Sequence, residues 1–261
     1  MVLGLCLCAC TGTFSDQPTP EAAKRFLKLR GYNFDVPSFF KAAADGDVLA
    51  VNGFISAGID VNARDGNDDT ALTASSIRGD AKVVEALLHG GADVNAKGRN
   101  GRTALLLALS EKHGSVAELL AAQQHLDLKA QAPDGMNALM VAVWNQQERA
   151  VQTLLARGAD VNFQDKDGDA ALHGAALNGN AKILRLLLDG GANPNLKNAL
   201  GGTALMWAAA YGHEEIVSIL LTRGADPKIG DVDGVTAAAW AAKNSRNRIE
   251  LMLRAAERDR Q

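Results

Sequence analysis

Apolar residues along most of this 261-residue chain fall into short blocks of two alternating kinds. One kind opens on a polar or small residue and continues through small apolar ones, as in "TALTASSIRGD" (70–80), "AALHGAALNGN" (170–180) and "TALMWAAAYGH" (203–213). The other carries larger aliphatics: Val83, Val84, Leu87 and Leu88, or Ile183, Leu186, Leu187 and Leu188. Their spacing suits one buried helical face, so both kinds predict short helices. Thr70, Thr103 and Thr203 stand where a side-chain oxygen can accept the first free backbone N–H groups of the first helix. Gly46, Gly79, Gly179 and Gly212 stand at its end, where a left-handed residue stops a helix at little cost. A second glycine, as in Gly91, Gly158 or Gly224, closes the second helix. Asp134-Gly135, Asp167-Gly168 and Asp233-Gly234 then predict hairpin-like turns into the next block.

These blocks recur with a period of 33 residues, which keeps Asp60, Asp93, Asp160, Asn193 and Asp226 in register. Asp127, in "HLDLKAQ", is displaced by one residue, so one unit holds a single-residue insertion. Helices this short are marginal alone, and each unit needs its neighbours to bury its apolar face. Three units lack the inner glycine and put Lys112, Gln146 and Ser245 where a positive φ is expected, at roughly 1 kcal/mol or more each. The stack is expected to be weakest over residues 110–147 and at its C-terminal end.

The recurring "TALMWAAAYGH" pattern, an aliphatic helix, and then "RGADVN" (157–162) or "GGADVN" (90–95) together resemble the ankyrin repeat. The resemblance covers about residues 33–261 and implies an all-α ankyrin-repeat solenoid of about seven helix-turn-helix units with β-turn fingers. Alanine replaces the motif proline in almost every copy. The motif histidine occurs once, at His173, where the resemblance implies a bond to backbone within the stack. Residues 36–261 are assigned to the repeats and 21–35 to an N-terminal capping helix, with Thr19 at its cap and Pro20 at its first position. "LRGYNF" (29–34) echoes "ARGADV" (156–161), which makes this segment a half-repeat. The charged tail from Arg254 to Gln261 is expected to close the other end.

Composition narrows the function classes. The chain is 47% hydrophobic but only 5% aromatic, a balance that suits short, closely packed helices. Its 27 basic and 30 acidic residues leave a net charge of −3, so nucleic acid is not an expected ligand.

Residues 1–10, "MVLGLCLCAC", are too short an apolar run to span a bilayer and match a signal-peptide core. They contain Cys6, Cys8 and Cys10. "LCAC" (7–10) resembles the lipobox of bacterial lipoproteins, which implies cleavage before Cys10 and acylation of its sulfur. Residues 11–20 would then form a flexible tether. By the sorting tendency of such lipoproteins, Thr11 implies the outer membrane and a domain facing the periplasm, with the lipid as its only membrane contact. No basic residue precedes the apolar run. An incidental apolar start on a cytoplasmic protein, or a thiolate site for a soft metal, therefore stay open as alternatives.

Catalytic motifs fail on inspection. "GHEEIV" (212–217) puts Val217 where a zinc motif needs a second histidine, and "DKDGDAALHGAA" (165–176) puts Ala176 where a calcium loop needs glutamate. The five histidines are scattered over different units. No enzymatic activity, cofactor or metal is expected, and the chain is expected to be a monomer that binds a protein partner. In the ankyrin resemblance, the residues just after the paired small positions face a concave groove. Trp144, Asn145, Leu177, Asn178 and Tyr211 fall there, rimmed by the turn-tip residues Met136, Lys166, Asp167 and Asp169. Trp144 has an alternative role, filling a gap beside the irregular third unit. Trp207 and Trp240 are expected to be packing residues.

Overall fold

The computed structural model describes residues 18–259, so Cys10, the apolar start and most of the tether lie outside the described residues. Thr19 accepts the Ala22 N–H at 3.3 Å and opens α1 (Pro20–Leu29). Seven helix pairs follow among the described residues: α2 (Val36–Ala44) with α3 (Val48–Ser56), α4 (Ala71–Arg78) with α5 (Ala81–His89), α6 (Ala104–Ser110) with α7 (Gly114–Ala121), and α8 (Ala138–Trp144) with α9 (Glu148–Ala156). The series continues with α10 (Ala171–Asn178) and α11 (Ala181–Asp189), α12 (Ala204–Tyr211) and α13 (Glu214–Thr222), and α14 (Ala237–Lys243) and α15 (Asn247–Asp259). First helices pack on first helices and second on second, which builds two parallel rows. The result is the expected all-α solenoid. α1 packs on α3, so the half-repeat supplies a second-row helix. Gly31 leaves it at φ 84°, as Gly158 leaves α9 at φ 81°, so the sequence echo is also a structural one.

Small side chains set the spacing of the first row. Ala108, Ala142, Ala175, Ala176, Ala208 and Ala209 are completely buried, and each removes a Cβ-sized patch from water while letting backbones approach. In the second row, Val83, Val84, Leu87, Ile183 and Leu187 are buried, whereas Leu88, Leu186 and Leu188 are half-buried. At the N-terminal end Phe39 meets Phe54 at 5.6 Å between ring centroids, with Tyr32 and Phe34 also on Phe54. That aromatic cluster seals the end of the stack.

Helix starts differ from the uniform threonine pattern. Thr70 accepts the Thr73 N–H at 3.2 Å and Thr103 accepts that of Leu106 at 3.5 Å. Thr203 makes no such bond; the Met206 N–H reaches its carbonyl instead, at 3.0 Å, in a tighter first turn. Lys112, Gln146 and Ser245 adopt φ of 61°, 57° and 59°, as their register requires. Asp68 joins them at φ 67°, because in its turn the glycine, Gly66, comes two residues too early.

Fingers are closed by single antiparallel bridges such as Lys97 to Thr103 and Gln164 to Ala170. The asparagine that ends "ADVN" joins one unit to the next. Oδ1 of Asn62 accepts the Asp93 N–H, that of Asn95 the Asp127 N–H, and that of Asn162 the Asn193 N–H, each at 2.8 Å. Asn195 does the same for Asp226 at 2.7 Å. A stretch without nucleophile or charge cluster thus recurs because it is a clasp.

Candidate functional site

The ends of α8, α10 and α12 carry the residues singled out from the sequence, and the shared register brings them into one line. Trp144 is 37% exposed, Leu177 half-buried and Tyr211 51% exposed. A Cβ on Gly174, in the fifth unit, would come within 3.3 Å of the Trp144 ring carbon Cε2. The indole therefore packs onto α10 of the following unit. Tyr211 stacks on His213, with planes 10° apart, and touches Trp207 at a centroid distance of 6.3 Å. Asn145 Nδ2 donates to Val141 in its own helix at 3.2 Å, and Asn178 Nδ2 donates to the Trp144 carbonyl at 3.4 Å. Asn178 thus ties two units of the strip together, while Asn145 bonds within its own helix.

Several polar groups that could be mistaken for chemistry are latches between first helices. His113 Nε2 donates to the Ile77 carbonyl at 2.9 Å and His213 Nε2 to that of Leu177 at 3.0 Å. Gln147 reaches Leu109 at 2.6 Å, and Arg246 reaches Ala210 at 3.3 Å. Each reaches a carbonyl in the last turn of a first helix, where the regular intrahelical bonding pattern runs out.

Rim residues are also tied to neighbouring fingers. Lys166 Nζ donates to the Pro133 carbonyl, and the Asp169 carboxylate accepts Asn198 Nδ2 at 2.9 Å. Met136 is half-buried against the core. Burial raises the Asp165 carboxyl above its ordinary range, although the Asp169 and Asp167 N–H groups partly offset this. His173 is 3% exposed, accepts the Ala170 N–H on Nδ1 at 2.8 Å and donates from Nε2 to Leu196 at 3.0 Å. That fixes its neutral tautomer and its structural role.

Sequence reasoning set Trp207 and Trp240 aside as packing. Both pack against the core yet remain half-buried, with Trp240 Nε1 donating to Asp231 Oδ2 at 3.0 Å. They wall a recess whose only sequence signal was two large rings at a position that holds Ala74, Leu107, Val141 or Gly174 in the second to fifth units. Among the described residues, no group of three or more His, Cys, Asp or Glu could hold a metal ion, and no helix is long and apolar enough to cross a membrane.

Comparison with known proteins agrees with this architecture. A search of curated protein sequences returned no match. The solved crystal structure of the ankyrin repeat domain of Bcl-3, described as a unique member of the IkappaB protein family, is similar with a TM-score of 0.75 and 31% identity. The likeness covers 84% of this chain and 98% of that one. A family model for ankyrin repeats, three copies at a time, matches residues 39–132, 93–165, 116–198, 139–231 and 172–260. With its helix pairs, fingers and clasps all in that register, the chain belongs to the ankyrin repeat family, whose stacks are scaffolds for protein–protein interaction.

Proposed function

We propose that this ankyrin stack works by binding, without catalysis, and grips a partner protein through the line of Trp144, Leu177 and Tyr211. The observation that carries the reading is the exposure of Trp144 and Tyr211 on helices whose other apolar residues are almost all buried. Exposed tryptophan and tyrosine in a row are the side chains that most often dominate binding energy when a partner covers them. Asn145, Asn178, Met136, Lys166 and Asp169 surround the line and supply its polar rim. Acylated Cys10 tethers the domain to the outer membrane on the periplasmic side, where it binds and blocks an enzyme or toxin that reaches that compartment. The lipobox-like "LCAC" supports this location.

Affinity capture from the cell envelope, with Trp144→Ala as the control, tests the interface. The substitution should cost about 2 kcal/mol of binding, roughly thirtyfold, with little change in unfolding midpoint. Unfolding with unchanged affinity per folded molecule would make Trp144 a packing residue instead. Labelling cells with a fatty-acid analogue tests the anchor, because Cys10→Ala should abolish the label; an equally labelled variant would end the lipid assignment.

A further inference from the structure

Units six and seven differ from the rest at one first-helix position. Where the second to fifth units carry Ala74, Leu107, Val141 and Gly174, these two carry Trp207 and Trp240. The two indoles, with Met206 and Ala210 on the helix side and Leu200 and Asp231 on the finger side, enclose a recess of about 80 Å³ with apolar walls. A water molecule's share of liquid is only about 30 Å³, and small-molecule pockets run to about 300–1,000 Å³. One bulky aliphatic side chain is the object that fits.

The walls are fixed in place. Trp240 is held by its Nε1 bond to Asp231, whose other carboxylate oxygen accepts the Asp233 and Val235 N–H groups at 3.0 and 2.9 Å. The Lys243 ammonium lies 5.4 Å from the Trp240 ring, and Trp207 leans on Tyr211. A site that needs no ordering on binding keeps the free energy of contact. Two apolar finger tips flank its mouth: Leu200 is 68% and Val232 67% exposed, joined by the Val232 N–H to the Leu200 carbonyl at 3.1 Å. The same run of tips carries Asp233 and Asp167, both exposed, with the Asp167 carbonyl accepting the Ala199 N–H at 3.0 Å. Neither of these carboxylates is in an ion pair among the described residues, while nearby Lys197 donates to the Gly230 carbonyl at 2.9 Å. An apolar socket beside two uncompensated carboxylates is complementary to an apolar side chain beside a cation.

We propose that this recess anchors one leucine- or methionine-sized side chain from an extended segment of a partner protein, with a lysine or arginine next to it facing Asp233 and Asp167. The proposal rests on the concave-surface reading and adds to it a subsite separate from Trp144. Its test follows the three indole N–H signals of the whole, 15N-labelled protein, assigned through Trp144→Phe, Trp207→Phe and Trp240→Phe. The probe is the blocked peptide Ser-Lys-Leu-Lys-Ser at millimolar concentration. The Trp207 and Trp240 signals should move while that of Trp144 stays. A peptide with alanine for leucine should bind about tenfold more weakly, in line with the lost apolar area. One with glutamate for both lysines should also lose affinity. Ala210→Leu fills the recess and should abolish the shifts; Leu200→Ser, at an exposed tip, should weaken them about threefold without disturbing the fold. Stationary Trp207 and Trp240 signals, or equal binding of the alanine peptide, would overturn the proposal. Movement of Trp144 alone would overturn it too, yet leave the concave-surface reading standing.

Discussion

The Arg157 guanidinium donates to the Gln123 carbonyl at 2.6 Å, thirty-four residues earlier in the chain. It also reaches the carbonyls of Ala121 and Gln124. These groups lie in the unit with the single-residue insertion, where no left-handed glycine follows the helix as Gly58, Gly91, Gly158, Gly191 and Gly224 follow α3, α5, α9, α11 and α13; residues 121–127 contain no positive φ. One side chain of the fourth unit therefore closes the open end of α7 in the third. Arg157→Ala should lower stability by about 1–3 kcal/mol, the scale for losing charged hydrogen bonds to partly buried carbonyls. Urea unfolding measures the loss. Hydrogen exchange should show it concentrated in residues 114–127, and a loss spread evenly over the chain would contradict this account.

Backbone strain marks the same region from another side, and the C-terminal unit as well. Lys112, Gln146 and Ser245 occupy left-handed conformations that cost a side-chain-bearing residue about 1 kcal/mol or more. Each of Lys112→Gly, Gln146→Gly and Ser245→Gly should raise the unfolding free energy by up to about 1 kcal/mol, less the extra freedom glycine gains in the unfolded chain. Gly79→Ala should do the reverse, because its φ is 76° and a new Cβ would sit 2.5 Å from the His113 ring. Native-state hydrogen exchange should find residues 110–147 among the least protected of the stack; finding them the best protected would overturn this view of its weak point.

Much of this architecture was legible in the chain because period, small residues and glycines act locally, and each unit repeats the same test. Left-handed Lys112, Gln146 and Ser245 followed from register alone. Thr203 and Thr236 did not follow the pattern, since whether a cap hydroxyl meets its N–H depends on the geometry of the first turn and not on residue type alone. The clasps were hidden for a different reason. Asn62 and Asp93 are in separate units, and a bond between them exists only once the units are stacked. The recess was equally invisible, because a tryptophan at the Trp207 position reads as core unless one knows that Trp240 and the Leu200 finger leave space in front of it.

Clasp geometry gives a gain-of-stability test. Lys129 stands where four other units have Asn62, Asn95, Asn162 and Asn195, and its N–H bonds Asp127 Oδ1 at 2.9 Å, as the Asn95 N–H bonds Asp93 Oδ1 at 2.9 Å. The backbone is thus already shaped for a clasp to Asp160 that lysine, which carries no acceptor, cannot make. Lys129→Asn should add about 0.5–1 kcal/mol, and Asn162→Ala, which loses bonds to Asn193 and Gly191, should remove about 1 kcal/mol. Unfolding midpoints that leave Lys129→Asn level with the parent would show that stacking, with no help from the clasp, orders this junction.

His173 is held in its neutral form, because burial pushes its pKa below the ordinary 6.5, against the pull of Asp169, whose Oδ1 lies 3.6 Å from Nδ1. Protonation would also break the Ala170 N–H bond to Nδ1, since an imidazolium has no acceptor. The unfolded chain therefore binds this proton more readily than the folded one. Its contribution to stability is whole above pH 6.5 and falls away as the pH drops through the lower, folded value. His173→Thr isolates the effect, because Thr73 at the same register position accepts the Thr70 N–H at 3.0 Å without titrating. At pH 8 that variant should be less stable by about 1–3 kcal/mol, having lost the Leu196 bond and some packing. The gap to the parent should narrow as pH falls from 6.5 to 5, when only the parent is losing the neutral imidazole it was built around. Thermal or urea unfolding of both proteins across that range measures the difference, and parallel curves would show that His173 keeps no unusual hold on its proton.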